Sequence, residues 1–150
     1  MTREQKDLLI KDLCGRLSHG VKCKILETNE VKILAAIQYD GENTLFDFWE
    51  DDQKIQYGYQ LYLSEFKPCL LPISSMTDEQ KYDFYCRFIE NDCDFEEFKE
   101  FYLDNGMWHK LLTSLDDIDA IIDWFHKIHI DYRGLIPMEL ANDATGLNIY

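Results

Sequence analysis

The densest set of reactive side chains is Asp123-Trp124-Phe125-His126-Lys127-Ile128-His129-Ile130-Asp131-Tyr132-Arg133. On a continuous helix, Asp123, His126 and His129 fall at i, i+3 and i+6, a spacing that begins to converge on one face. Two imidazoles and a carboxylate there have the chemistry of a transition-metal site. Metal pairs on helices more often use i, i+4, and histidines near a helix end also favour its C-terminal dipole. A structural or surface role is therefore preferred, and no metal or cofactor is assigned. In Asp131-Tyr132-Arg133-Gly134, a charge-assisted hydrogen bond can pin the tail of the chain back onto its body. The alternative is that Arg133 presents its fork to an anionic ligand in a tyrosine-walled notch. Pinning is the preferred reading.

Other chemistry is sparse. Trp108-His109 reads as a loop clamped on a core, with His109 structural or exposed. No GxSxG elbow, P-loop, GxGxxG, HExxH or EF-hand loop is present, and Asp116-Asp117-Ile118-Asp119 lacks the spaced ligands, glycine and glutamate of a calcium loop. The five cysteines, Cys14, Cys23, Cys69, Cys86 and Cys93, never stand at CxxC spacing, so reduced cytoplasmic thiols are expected. Close carboxylate pairs are inevitable among 29 acids and so diagnose nothing.

Those 29 acids stand against 15 Lys and Arg in 150 residues, a net charge of -14. Such a field repels a polyanion, so direct nucleic-acid binding is disfavoured. With 46% apolar and 14% aromatic residues, the chain should nevertheless fold as one domain. Residues 1–34 carry seven basic residues against five acids; the remaining 116 carry eight against 24. The acid gathers at Glu96, Glu97 and Glu100 and at Asp116, Asp117 and Asp119, either as a solvated helix face or as a surface for a basic partner. Local contact of nucleic acid with the mildly basic N-terminal part, including Lys22 and Lys24, ranks last. The N-terminus lacks a signal-peptide core, and no apolar run reaches membrane-spanning length.

The elements that must position these residues make an α+β fold. Thr2 to Gln5 has capping-box spacing, and Leu9, Leu13 and Leu17 recur at helical intervals, which predicts a helix over 3–17. Alternation in Val21–Ile25, Val31–Tyr39, Leu45–Trp49 and Tyr57–Leu63 predicts an antiparallel meander or small barrel of four to five strands within 20–73, closed by Pro68 and Pro72. Phe46, Phe48, Trp49, Tyr57, Tyr59 and Tyr62 serve either as core filler or as exposed contacts. Thr77 to Gln80 repeats the capping spacing, and three helical segments follow within 77–129, the last opening at Ser114. An irregular tail over 130–150 completes the chain.

Three stretches together carry a resemblance: LLIKDLCGRLSHGVK (Leu8 to Lys22), FKPCLLPISSMTDEQK (Phe66 to Lys81) and IDWFHKIHIDYRGLIP (Ile122 to Pro137). They resemble an uncharacterised family of small acidic proteins common in gut Bacteroidetes genomes, prophages and phages. In that family the middle stretch commonly reads FKPYLRPLSSMTEEEK and the last contains HHFDYRGLI. Here Leu71 stands where an arginine is usual and Ile128 where the first of two histidines is usual. The resemblance implies no activity, cofactor or catalytic residue. Together with the charge, it implies a non-enzymatic interaction protein of phage or mobile-element type, such as an inhibitor, immunity-like protein or host-takeover factor, with a basic protein as partner. A small enzyme or anionic-ligand-binding protein using Asp123 to Arg133 is the alternative.

Overall fold

Helix α1 (Arg3–Arg16) starts where the Gln5 amide donates to Thr2 Oγ1 at 3.2 Å and the Thr2 amide donates to the Gln5 side chain at 2.8 Å. These reciprocal bonds satisfy donors that the first turn leaves orphaned. A 3-10 turn, Leu17–His19, extends the helix. Gly20, at φ 68, ends it in the left-handed region where a Cβ is costly. The computed structural model describes residues 1–50, 54–89, 94–104 and 117–150, with the side chains of 50–59, 101 and 104 excepted. Trp108, His109, Ser114, Asp116 and Cys93 lie outside the described residues.

Six strands follow: β1 (Lys22–Ile25), β2 (Val31–Tyr39), β3 (Thr44–Glu50), β4 (Lys54–Leu61), β5 (Phe66–Leu70) and β6 (Asn142–Asp143). Their order is β4-β3-β2-β1-β5-β6. The first four make the expected antiparallel meander, and β5 returns to the free side of β1, with Cys23 opposite Pro68. The expected count of four to five strands and the barrel are both corrected. Closure would require the β4 edge to pair with the far edge, but β6, drawn from the tail, occupies that edge in parallel with β5 and leaves an open mixed sheet.

The tail is also more regular than predicted. Besides β6, Ile130 bridges Leu71, with the Leu71 amide donating to the His129 carbonyl at 3.0 Å and the Asp131 amide to the Leu71 carbonyl at 2.8 Å. Pro68 lies inside β5 rather than closing it. It is tolerated because β6 reaches only Cys69 and Leu70, so at Pro68 the strand still has an open edge.

Alternation sends Val21, Cys23, Ile25, Leu34, Phe46, Phe48 and Phe66 inward to meet Leu9 and Leu13 of α1 and Leu135 and Leu140 of the tail. Phe46 and Phe48 both pack edge-on against Phe66, with centroids 5.0 Å apart. The strand aromatics therefore divide: these three are core, whereas Tyr62 is half exposed. Tyr57 and Tyr59 sit in β4, outside the described side chains.

Helix α2 (Asp78–Phe88) repeats the capping box through Thr77 and Gln80. Helix α3 (Phe95–Phe98) winds on as a π turn over Lys99–Asp104, and α4 (Ile118–Lys127) is capped by Asp117, which accepts from the Ala120 amide at 3.3 Å. These helices share a second core of Phe84, Phe98, Ile121, Trp124, Phe125 and Ile130. No helix among the described residues is long and apolar enough to cross a membrane.

Candidate functional site

A polar knot joins the two cores. Asp12 and Arg16 stand one turn apart on α1, in line with Leu9 and Leu13, and both are fully buried. Arg16 donates from Nε to Asp12 at 2.6 Å and from Nη2 to the Ile130 carbonyl at 2.7 Å, so α1 is tied to the residues that follow α4. Arg133 donates from Nε to the same Asp12 carboxylate at 3.1 Å, and His126 Nε2 stands 3.6 Å from it. Burial would raise the Asp12 carboxyl. The contact with His126 and the charge and hydrogen bond of Arg16 outweigh it and hold the group below its ordinary range.

Tyr132 covers the knot. Its ring centroid lies 4.7 Å from the Arg133 guanidinium carbon and 5.9 Å from that of Arg16, and its hydroxyl meets His126 Nε2 at 3.2 Å. Burial pushes the phenol up to about 12. The His126 ring rests on the backbone of α1 at Gly15, where a Cβ would come within 2.2 Å of the imidazole. Glycine is required there for close approach, not for its backbone freedom.

Arg133 reaches Asp12, not Asp131. Asp131 instead accepts the amides of Leu135 at 2.8 Å and Ile136 at 2.7 Å, which shapes the turn after it. The helical face proposed for Asp123, His126 and His129 does not form, because α4 ends at Lys127 and His129 turns away at φ 59. Asp123 meets His19 at 2.9 Å, and His126 faces Asp12. His129 stacks on Tyr150 with centroids 3.8 Å apart. Burial, then the positive charges of Arg16, His19, Lys22 and His126, lower His129 to about 4. Among the described residues no group of three or more His, Cys, Asp or Glu is placed to hold a metal ion.

Asp12, Arg16 and Gly15 were not singled out by sequence, although an Asp and Arg at i, i+4 inside an apolar stripe was a readable signal. The knot is poorly arranged for proton relay. Tyr132 and Asp12 both approach His126 at Nε2, so the carboxylate does not orient the opposite ring nitrogen as a base–orienter pair requires. His126 is itself almost fully buried.

The acidic residues lie on a different surface. Glu96, Glu97 and Glu100 are exposed on α3 and its π turn, and Asp117 and Asp119 are exposed at the start of α4. Beside α3, Tyr82 of α2 is 54% exposed and sits edge-on to Phe95 at 5.2 Å, with Tyr85 against the same ring at 5.4 Å. Asp78, Glu79 and Asp94 are exposed in the same two elements. Compared with known proteins, the chain matches no family model, no curated protein and no solved structure.

Proposed function

We propose that the chain is a non-enzymatic, cytoplasmic protein-binding module whose acidic, aromatic helical surface engages a basic and partly apolar patch on another protein. The observation that carries this reading is Tyr82, exposed and braced on Phe95, with Asp78, Glu79, Asp94, Glu96 and Glu97 exposed in the same helices and their caps. Exposed aromatics supply interface energy, and surrounding carboxylates supply orientation and rate. The resemblance to small acidic proteins of gut Bacteroidetes and their phages gives the setting: an inhibitor, immunity-like or host-takeover role.

The alternative, an enzyme or anionic-ligand site on Asp123 to Arg133, has less support. Arg133 commits its Nε to Asp12, and His126 and Tyr132 meet each other beside the same carboxylate. A pull-down from host lysate at low and moderate salt tests the lead reading. The expected result is a salt-sensitive partner that is lost with Glu96→Lys/Glu97→Lys and, separately, with Tyr82→Ala. Retention of the partner by both variants, or at all salt concentrations, would overturn it.

A further inference from the structure

The sheet face turned away from α1 carries an island of positive charge. Alternation puts Lys22 and Lys24 of β1 and Lys67 of β5 on that face, with Lys24 directly opposite Lys67 and Lys22 opposite Ile33. Like charges directly opposite one another on paired strands are destabilising. The chain has 29 acids with which to relieve them. Among the described residues, none of the three lysines has a carboxylate within ion-pair distance.

Beside the lysine row a groove of about 420 Å³ opens, lined by Lys22, Val31, Ile33, Trp49, Asn148 and Ile149. Lys32, paired with Glu30 at 3.7 Å, also lines it. The volume falls within the range of small-ligand sites, and the lining divides into an apolar, aromatic floor and a cationic end. That end is pre-set. Lys22 Nζ bonds the Ile149 carbonyl and lies 5.4 Å from the Tyr150 ring centroid. Tyr150 is held in turn by its hydroxyl, which accepts from the Lys22 amide at 2.9 Å and donates to the Cys69 carbonyl at 2.8 Å. Asn148, at φ 48, keeps a left-handed turn at the groove wall.

We propose that this groove binds a small planar anion, an aromatic ring bearing a phosphate or carboxylate. The ring lies on Trp49, Val31 and Ile33, and the anionic group meets Lys22 at the groove's end and reaches Lys24, which stands outside the lining but directly opposite Val31. The ligand is small because the whole chain carries a net charge of -14, which repels an extended polyanion beyond the reach of three lysines. The site uses β1, β2, β3 and the tail residues Asn148 and Ile149, and it does not rest on the acidic helical surface.

Calorimetric titration of the full chain with adenosine monophosphate, compared with adenosine, inorganic phosphate and oligothymidylate, tests it. The expected result is saturable one-to-one binding of the mononucleotide, with adenosine and phosphate each at least about tenfold weaker. Lys24→Met should weaken binding by about tenfold or more without lowering Tm, and Trp49→Leu should weaken it comparably. The proposal is overturned by no saturation up to about 10 mM, by Lys24→Met binding as the parent does, or by oligothymidylate binding more tightly than the mononucleotide.

Discussion

Two guanidinium groups meet in the knot between the cores, and three ammonium groups line the outer face of the sheet, under opposite regimes. In the knot, one carboxylate, one backbone carbonyl and one tyrosine ring are spent on Arg16 and Arg133. On the sheet face, Lys22 has the Ile149 carbonyl and the Tyr150 ring, but neither it nor Lys24 nor Lys67 has a carboxylate partner among the described residues. Desolvation explains the contrast. An ion removed from water costs several kcal/mol unless the protein replaces its hydration, whereas a partly exposed ammonium keeps its own. A charge resolved inside the fold therefore reads as architecture. Charge left unresolved at the surface is where a ligand or partner belongs.

The comparison breaks first at Asp12. Asp12→Ala leaves Arg16 buried with the Ile130 carbonyl as its remaining hydrogen-bond acceptor and strips Arg133 of its carboxylate. The expected loss is about 3–5 kcal/mol, the range for removing one partner of a buried pair. Urea denaturation measures it. A loss below about 1 kcal/mol would mean that the knot is as dispensable as a surface ion pair.

The second break is in pH. His129 is neutral in the fold down to about 4, whereas an unfolded chain takes up that proton near its ordinary 6.5. Between those values the unfolded state binds more protons, so stability falls as pH drops through the window and levels off below it. The gap corresponds to a loss of about 3 kcal/mol at most. Asp12, held low, loses its contribution only below the ordinary carboxylate range, so the two effects separate. Denaturation at pH 7, 5.5 and 4.5 should show the decline in the parent chain. His129→Asn, which suits the left-handed backbone at φ 59, should remove most of it. An equal decline in the variant would assign the pH dependence elsewhere.

Local features were the legible ones. Thr2/Gln5 and Thr77/Gln80 announce both capping boxes because each bond is made within three residues. The meander follows from the alternation in β1 to β3. Asn142-Asp143 could not be read as a strand, because two polar residues carry no period. Their place depends on the exposed edge of β5. The knot was half legible. Asp12 and Arg16 show their own helical spacing, but Arg133 meets Asp12 across 121 residues, a distance no local pattern reports. That Asp131 is claimed instead by two backbone amides of the turn after it is likewise something spacing alone does not report.

The smallest effect sharpens the contrast most, because its sign is opposite. Truncating a knot charge destabilises, but truncating one of the facing lysines should not. Lys24 and Lys67 repel across the β1–β5 pair, and either Lys24→Met or Lys67→Met keeps an aliphatic stem on the strand while ending the repulsion. Each single variant should gain about 0.2–1 kcal/mol, the scale of one cross-strand pair. The double variant should gain little more than either alone, since the first substitution already removes the shared term. Raising the salt concentration should shrink the gain, because both groups are reached by solvent. Additive gains would mean that each lysine is strained by its own surroundings. A loss in both single variants would mean that the ammonium groups have structural work, and the sheet face would then join the knot as architecture.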